Sequence, residues 1–304
     1  MRTRRMSGEL DWDRDGRDWP HRDASRFVEA AGVRFHVQQM GAGPVLLLIH
    51  GTGASTHSYR AMMPLLARRF TVIAPDLPGH GFTSTPPSEL FSLGGMARAL
   101  DALLRALGVT PALVAGHSAG AAILIRMALD GAIAPKGIVS LNGALAGFSG
   151  AARHVFGPLA KLLVLNPFVP RMFTWAAGGR SSVERLIRDT GSTLDAEGVG
   201  LYARLMQSPA HVGGALAMMA NWNLDRLERD MARLAVPLLL VATGADRAVP
   251  AEVSFRVRDR VPGAKVEYLR GLGHLAHEEQ PGQVADIIET WAETVGALTV
   301  VRAS

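Results

Sequence analysis

The pentapeptide Gly116-His-Ser-Ala-Gly120 links an apolar run, Ala112–Ala115, to a segment of helical pattern that begins at Ser118 and ends near Leu129. A buried strand that turns into a helix within so few residues leaves no space for Cβ atoms on either side of the turn. Glycines at Gly116 and Gly120 meet that demand, and the turn leaves Ser118 in a strained backbone conformation with its hydroxyl exposed. The plainer alternative, a glycine-rich strand–helix turn with an idle serine, is what the pentapeptide alone would permit.

The surroundings of the turn define the fold class. Phe27–Glu29 and Val33–Gln39 read as two short strands turning at Gly32, and Pro44–Ile49 as a strand buried on both faces. Met62–Arg69 is helical in pattern, Phe70–Ala74 a strand, Leu93–Leu107 a helix stopping at Gly108, and Gly137–Leu141 a strand. Alternation resumes with a strand at Leu238–Ala242, a helix near Glu252–Arg260, a strand at Val266–Leu269 and a helix from Pro281 to about Val295. Such alternation predicts an α/β fold, a mostly parallel central sheet with helices on both faces. Residues 147–235 contain no buried strand run and are read as an inserted helical cap. The predicted organisation is an N-terminal arm at 1–26, a core at 27–146 and 236–304, and the cap between. A cap so placed shapes a pocket over the carboxyl ends of the strands, where open α/β sheets bind ligands.

Composition narrows the chemistry. The 304 residues are 48% hydrophobic and 19% charged, values of a packed globular chain. There are no cysteines, which removes a disulfide scaffold, a thiolate metal site and a cysteine nucleophile, and fits a reducing cytoplasm. The formal charge of +5 is almost all arginine and is partly concentrated in residues 1–5; Met1 and Met6 are alternative starts. No basic stripe with interleaved aromatics accompanies it, so nucleic acid is not an expected partner. No signal peptide or transmembrane segment is predicted, although peripheral membrane contact stays open. Ligand spacing for a metal is absent, as are the glycine-rich loops of dinucleotide and ATP sites, so no cofactor is expected.

A serine hydroxyl needs a base to become nucleophilic, and the base needs an acid to orient it. Asp246 follows the strand Leu238–Ala242 in Thr243-Gly-Ala-Asp-Arg-Ala-Val-Pro250; His274 follows Val266–Leu269 in Gly271-Leu-Gly-His-Leu-Ala-His277. Ser118, Asp246 and His274 are therefore the predicted triad, in the chain order this type of turn is known to take. His277 competes as base but lies farther from the strand end. The alternative location for the acid holds Asn142, which carries no charge. The backbone N–H groups of Thr52, in His50-Gly-Thr-Gly53, and of Ala119 are predicted to form the oxyanion hole. Gly51 and Gly53 let that loop approach. His50 is expected to fix it by hydrogen bonding, and His117 and His80 are given the same structural reading.

These motifs, with Asp76-Leu-Pro-Gly-His-Gly81, resemble those of the α/β-hydrolase superfamily from about residue 27 to the end. Its haloalkane dehalogenases and epoxide hydrolases carry aspartate at the elbow where this chain has serine. The arm, Trp12-Asp-Arg-Asp-Gly-Arg-Asp-Trp-Pro-His-Arg22 running into Ser25–Val28, is similar to the start of the magnesium chelatase accessory proteins. His50–Ser58 and Pro75–Phe82 are similar to them as well. The resemblance implies a role in bacteriochlorophyll synthesis near insertion of Mg²⁺ into protoporphyrin IX, with magnesium chelatase subunits as partners.

Two functions follow as expectations. One is a serine hydrolase whose substrate is a small molecule with an ester-like carbonyl. The other is a binding protein for a porphyrin or the chelatase. In that case Phe148, Phe156, Phe168, Phe173, Trp175 and Trp222 would meet the macrocycle, and Arg153, Arg171, Arg180, Arg185 and Arg188 its carboxylates. The plainer alternative makes the aromatics the cap's own core and the arginines a solvated face. The arm is too polar to form a core alone and is predicted to dock through Trp12 and Trp19, on the main domain or on a partner.

Overall fold

A computed structural model describes residues 8–147, 170, 174 and 179–299. Its centre is one eight-stranded sheet. The strands are β1 (Ser25–Ala30), β2 (Val33–Met40), β3 (Val45–Ile49), β4 (Thr71–Pro75), β5 (Leu113–His117), β6 (Gly137–Leu141), β7 (Leu238–Thr243) and β8 (Lys265–Leu269). Their order is β1-β2-β4-β3-β5-β6-β7-β8. The pairs β1–β2 and β2–β4 are antiparallel and all others parallel. Among the described residues the helices of eight residues or more are α1 (Leu93–Leu107), α2 (Ala119–Leu129), α3 (Arg180–Asp189), α4 (Ala196–Met206), α5 (Pro209–Ala220), α6 (Glu252–Arg260) and α7 (Pro281–Thr294).

Strand alternation divides the apolar residues between two layers. Leu47 and Ile49 of β3 face α1, α2 and α6, with Leu103, Ile123 and Val257 in the same cluster. Leu46 and Leu48 face the opposite layer with Leu66, Val284, Ile288 and Trp291. All of these except Val257 and Trp291 are essentially inaccessible to water, and each large apolar side chain so buried is worth about 1.5–3 kcal/mol. Helix α1 has the ends its sequence implies: Ser92 Oγ accepts Gly95 N–H at 3.1 Å, and Gly108 closes the helix at φ 66°.

The segment predicted as one helix over Met62–Arg69 is shorter. Only Met63–Leu66 is α-helical, and residues 67–70 close as turns so that Thr71 can enter β4 beside Val45. Between β6 and β7 the described residues form helices and no strand. Of the aromatic and basic side chains assigned to that region, Phe148, Phe156, Phe168, Phe173, Trp175, Arg153 and Arg171 lie outside the described residues. Arg180, Arg185 and Arg188 are exposed, and Trp222 packs half-buried against the main core.

The N-terminal arm lies on the main body. Trp19 is 2% exposed, donates to Thr56 Oγ1 at 3.3 Å, and packs with Phe82, Leu201 and Leu205. Trp12 meets Phe27 and Phe82 edge-on, with ring centroids 5.6 and 4.8 Å away. Arg204 of α4 grips Asp18 through both guanidinium nitrogens, at 2.7 and 2.8 Å. The arm thus spans the sheet domain and the inserted helices. Trp19→Ala should cost about 3–5 kcal/mol in urea denaturation; a loss below about 1 kcal/mol would show that the docking is superficial.

Candidate active site

Ser118 stands between β5 and α2 with φ 51° and ψ −117°, a conformation that costs a non-glycine residue roughly 1–3 kcal/mol. The sheet holds it there: Ser118 N–H donates to Leu141 O at 2.9 Å, and Ser118 O accepts Ala144 N–H at 3.1 Å. A Cβ on Gly116 would stand 2.5 Å from Ala121 N, and one on Gly120 would fall on the Ile49 carbonyl oxygen. The two glycines therefore let α2 pack directly on the ends of β3 and β5.

Asp246 lies after β7 and His274 after β8, on the same edge of the sheet as Ser118. Nδ1 of His274 is 2.8 Å from Asp246 Oδ2. The carboxylate is buried, and its Oδ1 accepts the N–H groups of Ala248 and Val249, both at 2.8 Å. Being acceptor-only when ionised, it draws a proton onto His274 Nδ1 and leaves Nε2 as the ring's basic atom. Among the described residues this is the one side-chain hydrogen bond that His274 makes, so Nε2 is unengaged. The loop itself is fixed by Thr243 Oγ1 donating to Gly273 O at 2.8 Å and by Gly273 N–H donating to Glu279 Oε2 at 2.8 Å.

The loop after β3 lies against the serine turn. A Cβ on Gly51 would come within 3.0 Å of Ser118 Cβ and 2.9 Å of His117 Nδ1. His50 is fully buried: Leu77 N–H donates to its Nε2 at 2.9 Å, so its Nδ1–H points to Gly51 O at 2.7 Å. Burial lowers its pKa, which suits a neutral tie rather than a proton carrier. Thr52 and Gly53 are half-buried, and Thr52 Oγ1 donates to Met218 Sδ at 3.5 Å. Ala119 opens α2, where a helix has no internal acceptor for its N–H.

The other histidines have structural surroundings. His117 Nε2 lies 3.0 Å from His274 O, and burial, with the neighbouring His277 and His274, pushes its pKa well down. His80 Nδ1 lies 3.1 Å from Pro78 O. His277 is 1% exposed, has no hydrogen-bond partner at either nitrogen among the described residues, and is wedged between the rings of Tyr59 and His117 at 5.3 and 4.4 Å. It is thereby set apart from His274 as a base.

Two residues matter more than their sequence context suggests. Asn142 Nδ2 donates to Asp246 Oδ2 at 2.8 Å and to Thr243 Oγ1 at 2.7 Å, so the position that lacks the acid supplies the acid's hydrogen bond. Its φ of 47°, unusual for a non-glycine residue, was the available structural signal. Asp76 is buried and joins three segments: His36 Nδ1 at 2.8 Å, Thr56 N–H at 2.7 Å and Phe82 N–H at 2.9 Å. Burial opposes its charge, but His36 and the Thr56 amide outweigh it and hold the carboxyl well below the usual range. Among the described residues no three side chains gather as a metal site, and no helix is long and apolar enough to cross a membrane.

A parallel sheet with a serine turn after β5 and acid and histidine loops after β7 and β8 is the architecture of the α/β hydrolases. The model of the alpha/beta hydrolase family matches residues 46–287, and the chain belongs to that family. Within it, the chain is 42% identical over 278 residues to the Magnesium-chelatase 30 kDa subunit of Rhodobacter capsulatus, covering 91% of this chain and 97% of that protein. Solved structures share the fold. The lip1 protein of Acinetobacter baumannii AYE superposes with a TM-score of 0.75 at 20% identity over 90% of this chain and 92% of that one. The epoxide hydrolase CorEH superposes at 0.74 and 20% identity, over 89% and 99%.

The buried histidines predict the acid behaviour of the fold. An unfolded histidine takes a proton below about 6.5, whereas burial lowers His277 to about 3. Between those values the unfolded chain binds more protons, so this stability is full above the unfolded value and is lost as pH falls toward the folded one. His277→Phe should flatten the acid limb of stability against pH by up to about 1.4 kcal/mol per pH unit. An unchanged slope would show that His277 does not stay neutral in the fold.

Proposed function

We propose that this protein is a serine hydrolase of ester-like carbonyls that works beside magnesium chelatase in bacteriochlorophyll synthesis. The observation that carries the first half is the 2.8 Å bond from His274 Nδ1 to Asp246 Oδ2 on the strand edge where Ser118 is held at φ 51°. In this reading Ser118 Oγ attacks the carbonyl carbon while His274 Nε2 takes the hydroxyl proton. The carbonyl π electrons move to oxygen, and the Thr52 and Ala119 amides receive that charge. Collapse breaks the bond to the leaving group, which takes the proton from His274. Water then repeats the sequence and frees Ser118. Asp246 stays ionised throughout and stabilises the imidazolium. Among the described residues no hydrogen bond joins Ser118 Oγ to His274 Nε2, and in this scheme that bond closes when substrate binds. Residues 147–235 serve in this scheme as a cap over the site.

The second half is supported by the relative named for magnesium chelatase, which spans nearly the whole chain. That relative also favours a second reading, in which the fold binds a porphyrin or a chelatase subunit without catalysis. The exposed positions of Arg180, Arg185 and Arg188 weigh against their use as carboxylate grips in an enclosed porphyrin site.

Two measurements separate the readings. A serine-directed fluorophosphonate should label the wild-type chain and leave a folded Ser118→Ala unlabelled; a folded wild type that stays unlabelled would end the hydrolase reading. In a strain lacking this protein, Ser118→Ala should fail to restore bacteriochlorophyll if hydrolysis is the role. Full restoration would assign the accessory role instead.

A further inference from the structure

The loop assigned to the oxyanion hole is held partly by a side chain from the inserted helices. His211, in the first turn of α5, accepts Gly81 N–H at Nδ1, 3.0 Å away, and approaches Gly53 O at 3.1 Å with Nε2. The first bond sets the tautomer: an amide donor requires a bare Nδ1, so the proton sits on Nε2 and is donated to Gly53 O. The imidazole is 2% exposed, and burial lowers its pKa to about 4, so it stays neutral near pH 7. Its own N–H is held by Ser208 Oγ at 3.2 Å, which places the ring at a capped and ordered helix start.

The loop needs such ties. Gly51 and Gly53 flank Thr52, and glycine restricts backbone rotation least of all residues. Because a peptide is planar, holding a carbonyl also aims the N–H on the other side of the same bond. His50 does this for the Gly51–Thr52 peptide through Gly51 O, which directs Thr52 N–H. His211 acts one hydrogen bond further away: it holds Gly53 O, and the N–H of that same peptide, from Ala54, donates to Gly51 O at 3.2 Å, the carbonyl opposite Thr52 N–H. Met218, seven residues later on the same helix, receives the Thr52 hydroxyl at 3.5 Å. One face of α5 thus grips the loop through a side chain and through the following backbone group.

We propose that His211 is a positioning residue for the oxyanion hole, so that Thr52 N–H is aimed correctly only while α5 is seated on the core. The proposal rests on the hydrolase reading above. It makes the insertion part of the catalytic apparatus, and it links the placement of one helix of that insertion to turnover.

The test uses the full chain with wild type, Ser118→Ala, His211→Asn and His211→Gln. An asparagine amide reaches the place of Nδ1 and keeps the Gly81 contact. A glutamine amide reaches the place of Nε2 and keeps the Gly53 contact. With p-nitrophenyl butyrate as probe, His211→Asn should lower kcat by about 10- to 100-fold with KM little changed, and His211→Gln should recover most of the loss. Hydrogen exchange should quicken over residues 50–56 in His211→Asn and return toward wild type in His211→Gln. Wild-type kcat in His211→Asn, or equal losses in both variants, would overturn the proposal. If wild type and Ser118→Ala hydrolyse the ester equally, the hydrolase reading is what fails. Exchange over residues 50–56 then decides whether His211 holds the loop: quickening in asparagine alone supports it, and no difference refutes it.

Discussion

A serine held at φ 51° between a buried strand and a helix is the constraint around which this molecule is arranged. The backbone adopts that geometry only because its neighbours prevent relaxation. Leu141 and Ala144 hold its amide and carbonyl, and the absence of side chains at Gly116 and Gly120 lets α2 rest on the β3 and β5 backbone. Packing around the turn therefore fixes the serine backbone and orders the core together. A looser core would let the serine relax, and a tighter one would not admit the turn.

Charge is arranged by the same rule of full satisfaction. Asp246 receives four hydrogen bonds, from His274, Asn142, Ala248 and Val249, so a buried carboxylate keeps its partners even where one is the imidazole it orients. Asp76, at the end of β4, is satisfied by a histidine and two amides. Through Thr56 it fixes the segment after the Gly51–Gly53 loop; through His36 it reaches Ser25 and the aromatic cluster that seats Trp12. The arm and the loop beside the serine are therefore two ends of one buried network.

How much of this was legible from residues alone followed range. Buried parallel strands must be apolar on both faces, so β3, β5, β6 and β7 announced themselves, and the serine, acid and histidine fell at their ends because the fold places loops there. The contacts that tune the site join residues distant in sequence, and nothing local marks them. His211 and Gly81 are 130 residues apart, and Asn142 and Asp246 are 104 apart. Ser208-Pro-Ala-His211 reads as an ordinary helix start. Met62–Arg69 failed for a related reason: its helical pattern is genuine, but the need to deliver Thr71 to β3 unwinds its second half.

The inserted helices depart from β6 and return to β7, which are neighbours in the sheet. Because those strands run parallel, the insertion leaves at one edge of the sheet and re-enters at the other, and the sheet fixes the separation of its two ends whatever the length of chain between them. Lengthening a loop whose ends are already fixed adds little entropic cost, about 0.6 kcal/mol per doubling. The insertion can accordingly change in length at little cost to the sheet and to the loops that carry Ser118, Asp246 and His274. In this chain that freedom stops at the contact points, Thr190, Ser192, His211 and Met218, where the insertion touches the loops at the strand ends.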